Sequence, residues 1–142
     1  MEVGNTTAAT PHAPDYDEIV GVVMRYVDAW KDGDIQKWRE SFHEDCWIFC
    51  TSPDGSLEHE PISSQFQDWA SDTPVDIVGR IISVTQAGDI ASVLLGFDYA
   101  PDLSAGWIDI HALMRIEGRW WITNKTATHC SLAGWAAPAV SA

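Results

Sequence analysis

Apolar residues recur along this chain with two different periods, and the change between them divides it. From Asp15 onward Ile19, Val23, Tyr26, Val27 and Trp30 fall at three- and four-residue intervals, the spacing that lines one face of a helix. Asp15 is placed to cap that helix, with Glu18 three positions on as in a capping box, and Gly33 stops it. Asp34 caps a second, shorter helix with Ile35, Trp38 and Phe42 as its buried stripe, after which His43 to Asp45 turn the chain out. Pro61 suits the first position of a third helix whose stripe is Ile62, Phe66 and Trp69.

Elsewhere the period is two. Cys46 to Thr51 reads as a strand, Ser52-Pro53-Asp54-Gly55 as a turn, and Leu57 to His59 as a short partner strand. Val75 to Gln86 and Ile90 to Tyr99 are strands around the turn Ala87-Gly88-Asp89, and a loop from Ala100 to Ala105 leads to the last hairpin. That hairpin turns at Glu117-Gly118, where Gly supplies a positive φ. In its first strand Trp107, Asp109, His111, Leu113 and Arg115 share one face, and Ile108, Ile110, Ala112, Met114 and Ile116 the other. The last four strands follow one another through tight connections, which permit only antiparallel neighbours. The predicted fold class is α+β: three N-terminal helices packed on a curved, mixed but mostly antiparallel sheet, forming a cone-shaped α+β barrel with one open mouth. The Trp107, Asp109 and His111 edge is expected to turn toward the helices and enclose a hollow.

The 142 residues fit one domain, expected over 15–135 between a loose tail at 1–14, rich in Thr, Ala and Pro, and a tail at 136–142. With 21 acidic against 8 basic residues the net charge is -13, which opposes binding to nucleic acid or to anionic membrane surfaces. No segment approaches the ~18 apolar residues that span a bilayer, and the first residues lack the basic start and apolar run of a signal peptide. A soluble cytoplasmic setting is expected. Cys46, Cys50 and Cys130 make neither a redox pair nor a zinc spacing, so no metal and no cofactor is expected. Eight Trp are a heavy load of large amphipathic rings, which favours a ligand cavity, an oligomer, or both.

The element order and several strings resemble the nuclear-transport-factor-2-like superfamily, the cone fold shared by ketosteroid isomerase, scytalone dehydratase and SnoaL-type cyclases. The closing string Glu117-Gly118-Arg119-Trp120-Trp121-Ile122-Thr123-Asn124-Lys125 is most similar to the group named Putative lumazine-binding, and Val22 to Asp34 is similar to the first helix of ketosteroid isomerases. The resemblance covers about residues 15 to 130 and implies the cone. It places Tyr26 where ketosteroid isomerases carry a tyrosine that donates to the substrate oxyanion, and Trp30 where scytalone dehydratase carries a pocket tyrosine. Asp109 matches a polar pocket residue of that dehydratase. The isomerase's general-base aspartate is replaced by Cys50 and Thr51, and the dehydratase's histidines by Asp76 and Ala100, so the named activities do not transfer.

Asp109 and His111 leave one strand face with Cβ atoms roughly 7 Å apart, near enough to couple. In an enzyme, His111 is the general acid/base, Asp109 tunes it, and Tyr26 donates to a developing oxyanion. The catalytic candidates are therefore His111, Asp109 and Tyr26, and the candidate ligand wall is Trp30, Cys50, Phe66, Trp69 and Trp107. The expected function is a cofactor-independent lyase or isomerase of dehydratase, cyclase or retro-aldol type, acting by proton transfer on a small aromatic or polyketide-like molecule. The alternatives are a non-catalytic binder of a flat ring and a dimeric scaffold with a vestigial pocket. Asn124 matches the family string, and for Lys125 a surface charge is as good a reading as a site residue. Trp47, Phe49 and Trp121 point away from the cavity if Ile48 and Cys50 point in, which predicts a homodimer through that sheet face.

Overall fold

A computed structural model describes residues 13–52, 54–99 and 106–129. Both expected tails apart from residues 13 and 14, the loop Ala100 to Ala105, Pro53 and Cys130 lie outside the described residues. The elements run α1 (Tyr16–Asp32), α2 (Ile35–Ser41), β1 (Phe42–Thr51), β2 (Leu57–Pro61), a 3₁₀ turn (Ile62–Gln65), α3 (Phe66–Asp72), β3 (Ile77–Ala87), β4 (Ile90–Tyr99), β5 (Gly106–Ile116) and β6 (Arg119–His129). The strands form one six-stranded sheet in the order β2-β1-β6-β5-β4-β3. Among the described residues only the β1–β6 pairing is parallel. The fold is α+β, as the change of period predicts.

Local chemistry explains most boundaries. Gly33 closes α1 in the left-handed region at φ 69°, with its N–H bonded to Ala29 O. Asp34 caps α2 by accepting from the Gln36 N–H. The β5–β6 turn uses positive φ at both central residues, 51° at Glu117 and 82° at Gly118, the backbone hand that matches strand twist. Asp15 departs from expectation, because its side chain makes no cap bond. Its Oδ2 accepts instead from Arg115 Nη1 at 2.7 Å, Trp120 Nε1 at 3.1 Å and Gln86 Nε2 at 3.2 Å, tying the start of α1 to β5, β6 and β3. Phe42 opens β1 rather than closing α2, and His43 to Asp45 belong to an irregular stretch of that strand.

Helices and sheet enclose one core. Ile19, Val23, Tyr26 and Val27 of α1 meet Trp38, Phe42, Phe66 and Trp69, and behind them Val93, Leu95, Leu113, Trp120 and Ile122 point in from the sheet. Cys46, Ile48 and Cys50 alternate into this interior, so Trp47 and Phe49 face out. On β5 the polar edge is the buried one: Asp109 and His111 have no exposed surface, whereas Ile110 is 52% and Met114 43% exposed. Apolar content alone would reverse the strand. The charged pair turns inward because Leu113 on the same face completes the core and Trp107 packs against it.

Candidate functional site

A cavity of about 430 Å³ opens between α1, α3 and the inner face of the sheet. Tyr26, Trp30, Trp69, Phe97, Tyr99 and Trp107 give it aromatic walls, while Ile48, Cys50, Val75 and Ile77 add aliphatic and thiol surface. Its polar wall residues are Glu58, Gln65, Asp72 and Lys125. Trp30 and Trp69 lie 5.1 Å apart by ring centroid, and Tyr26 and Trp69 5.8 Å, a rigid set of π faces suited to a flat ring.

Of the wall residues proposed from sequence, Trp30, Cys50, Trp69 and Trp107 all reach the cavity. Phe66 is not on its wall; it is buried against Trp38, Phe42 and Trp69. Tyr26 lines the cavity, whereas Asp109 and His111 lie behind the wall, with the His111 ring centroid 5.5 Å from that of Tyr26.

The buried pair has one geometry that its chemistry dictates. His111 Nε2 stands 3.1 Å from Asp109 Oδ2, and since a carboxylate only accepts, Nε2 carries the proton and Nδ1 keeps its lone pair. Burial pushes the His111 pKa below its usual 6.5; Asp109 acts the other way, and Lys125 acts with burial. The imidazole is therefore neutral near pH 7. Among the described residues, His111 Nδ1, Asp109 Oδ1 and Trp30 Nε1 are buried without a hydrogen-bond partner. Burial, and next the Asp109 charge, hold the Tyr26 phenol well above its usual 10.0, with the Trp30 indole opposing, so Tyr26 is a neutral donor.

Lys125 is the site residue that alternation hides. From Trp120 and Ile122, both buried, strict alternation would send Asn124 inward and Lys125 out. Thr123 is an extra residue in the β5–β6 ladder, where Ala112 pairs Asn124 but Leu113 pairs Ile122. This bulge changes the parity and turns Lys125 and Ala127 in. Lys125 Nζ then lies 3.6 Å from Asp109 Oδ2 and 5.8 to 5.9 Å from the ring centroids of Tyr26, Trp69 and Trp107. The sequence signal was the shift of buried positions from even to odd numbers across Thr123.

Among the described residues neither thiol, Cys46 or Cys50, is poised as a nucleophile. Burial pushes Cys46 up to about 12, and burial followed by Glu58 raises Cys50, whose Sγ lies 3.6 Å from Glu58 Oε2. Away from the cavity, ligand atoms of His43, Glu44 and Asp45 lie within 4.8 Å of one another, but His43 Nδ1 already accepts from the Asp45 N–H. Among the described residues no helix is long and apolar enough to cross a membrane.

Solved structures share this architecture. The chain is similar to an NTF2-like protein of unknown function from Shewanella baltica, with 24% identity over 85% of this chain and 98% of that one and a TM-score of 0.73. A second such protein, from Methylobacillus flagellatus, shows 24% identity over 84% and 95% with a TM-score of 0.74. A ketosteroid isomerase-like protein from Erwinia carotovora atroseptica shows 15% identity over 84% and 99% with a TM-score of 0.62. At these identities the likeness establishes the fold. No curated protein matches the chain. The model of the family described as Putative lumazine-binding matches residues 14–127, the span holding all six strands but for the last two residues of β6, so the chain belongs to that family.

Proposed function

We propose that this protein binds a flat, conjugated small molecule in its cone and holds a carbonyl or anionic oxygen of that molecule against Lys125. The observation that carries this reading is an ammonium only 4% exposed on the wall of a cavity that six aromatic side chains also line. Lysine is almost never buried without a partner, and Asp109, already accepting from His111, leaves donor capacity on Nζ for a ligand. The family description adds that lumazine, a flat ring with carbonyl oxygens, is a fitting first probe. Titration of lumazine followed by Trp fluorescence should give saturable quenching. Lys125→Met should weaken binding roughly ten- to hundredfold, the worth of one charge-assisted hydrogen bond. Equal affinity in the variant would sink the assignment.

A second reading, proton-transfer catalysis of lyase or isomerase type, is favoured by the unpartnered Asp109 Oδ1 and His111 Nδ1 beside Tyr26. It requires a ligand with an acidic C–H, and a bicyclic aromatic ketone would exchange that hydrogen with deuterated water on the protein. Exchange undiminished in His111→Ala would exclude the histidine. We further infer a homodimer through the outer sheet face bearing Trp47, Phe49 and Trp121, supported by the exposed apolar side chains Trp47, Ile110 and Met114. The free thiols Cys46 and Cys50 fit a reducing compartment such as the cytoplasm.

A further inference from the structure

Lys125 combines three features that do more than fix a ligand's orientation. Its amine lies on the cavity wall, almost without exposure. Asp109 Oδ2, a proton acceptor, stands 3.6 Å away, and Oδ1 of the same carboxylate has no hydrogen-bond partner among the described residues. The rings of Tyr26, Trp69 and Trp107 surround the amine and limit water around it. A primary amine in a walled, largely apolar cavity beside a group that can take and return a proton is the arrangement in which lysine acts as a nucleophile toward carbonyl carbon.

We propose that Lys125 condenses with an aromatic aldehyde or ketone seated in the cone, forming a reversible imine. The inference rests on reading the cavity as the ligand site. The ammonium first gives one proton to Asp109, and the free nitrogen attacks the carbonyl carbon as the C=O π bond breaks. A nitrogen proton passes to the oxygen, giving a neutral carbinolamine. Asp109 then returns its proton to that hydroxyl, the C–O bond breaks, and water leaves as the nitrogen lone pair forms the C=N bond. Amine cation and carbonyl become iminium and water, Asp109 ends as the carboxylate facing the new cation, and no oxidant or reductant takes part. His111 keeps its Nε2–H on Oδ2 throughout, and the remaining lone pair of Oδ2, the oxygen that faces Lys125, carries the proton. The phenol of Tyr26 on the same wall is a neutral donor toward the departing oxygen.

The chain is well suited to the test because it holds three lysines, of which Lys31 and Lys37 lie on the outside of the helices. The full chain is incubated with 2-naphthaldehyde and sodium cyanoborohydride, which reduces an imine to a stable amine, and then mapped by peptide mass spectrometry. The expected result is a mass gain of the aldehyde less its oxygen on Lys125, at least tenfold above that on Lys31 or Lys37. Lys125→Arg, which keeps the charge, removes that labelling, and Asp109→Asn slows it at least tenfold while the folded far-ultraviolet spectrum persists. Labelling of Lys125 at or below the level of Lys31 overturns the proposal. Binding of 2-naphthoate, read by Trp fluorescence, separates the two claims. If naphthoate binds and no adduct forms, the imine falls and the ring-binding site stands; if neither occurs, both fall.

Discussion

His111 Nε2 and Asp109 Oδ2 meet at 3.1 Å with neither side chain exposed, and the same carboxylate oxygen faces Lys125 Nζ at 3.6 Å. One anion therefore serves a neutral donor and a cation in the driest part of the molecule. Asp109→Asn keeps the volume but strands the ammonium, and breaking a buried pair in this way costs about 3–5 kcal/mol. His111→Gln removes one hydrogen bond and leaves the ion pair, for about 1–3 kcal/mol. Urea unfolding followed by Trp fluorescence would rank the two. If Asp109→Asn proved as stable as the parent, Lys125 would have to find its counter-charge elsewhere.

Stability should form a plateau in pH with a distinct cause at each end. The folded His111 pKa lies below 6.5, so on acidification the unfolded chain takes up the proton first. Its contribution is complete above about 6.5 and is lost as pH falls through that value toward the folded pKa. Cys46 moves the opposite way, from 9.0 to about 12. The unfolded thiol ionises first, so that contribution is complete below 9.0 and is lost as pH rises toward 12, with Tyr26 acting in the same sense from 10.0. Thermal melts across pH would locate both edges. His111→Gln should flatten the acid edge and Cys46→Ala the alkaline one.

Asp15 provides a test that separates capping from anchoring. A capping aspartate is replaced by serine with little loss, since a hydroxyl accepts the same backbone N–H. Here the carboxylate instead receives Arg115, Trp120 and Gln86 from three strands. Asp15→Ser should therefore destabilise nearly as much as Asp15→Ala, by about 1–3 kcal/mol through the indole N–H of Trp120 left without an acceptor. Recovery of full stability by serine, in a denaturant titration, would restore the capping role.

What the sequence discloses and what it conceals follow from the range of the interactions involved. Helix stripes and strand alternation are local, so Val23 and Tyr26 on α1 and the hairpin at Glu117-Gly118 are readable in order along the chain. The inward Asp109 and His111 were legible only as a choice between two faces, because apolar content favoured Ile110 and Met114, which the structure exposes. The partner of Asp15 lies 100 residues away at Arg115, and no window of sequence shows it. Lys125 was obscured for a third reason: one inserted residue reversed the alternation between Ile122 and Ala127.

The outer sheet face carries Ile110 at 52% and Met114 at 43% exposure on β5 and Trp47 at 40% on β1, the two strands that flank β6. A second copy related by a two-fold axis could cover this surface with the same patch. Light scattering after size exclusion should give twice the chain mass at micromolar concentration. The double substitution Ile110→Lys with Met114→Lys, which places like charges across such an axis, should give the single chain mass without loss of secondary structure. An unsubstituted chain that elutes as a monomer would reject the dimer.

Thr123 reconciles inward Ile122 with inward Lys125. Among the described residues its hydroxyl donates to Ala112 O, at 3.2 Å, so the residue matters for the parity its bulge sets more than for its chemistry. Thr123→Ala should leave Lys125 buried and cost no more than the ~1 kcal/mol of one hydrogen bond. Deleting Thr123 restores unbroken alternation from Trp120. Ile122 and Lys125 are then two positions apart in the shortened strand, so Lys125 still faces inward and Asp109 keeps its cation. Labelling by a long-chain sulfosuccinimidyl biotin ester, too large and too highly charged to enter the cavity, resolved by peptide mass spectrometry, would read this directly. In the parent and in the deletion alike, Lys125 should react at least tenfold more slowly than exposed Lys31. A folded deletion variant in which Lys125 reacted as fast as Lys31 would mean that the extra residue at 123 is not what reconciles inward Ile122 with inward Lys125.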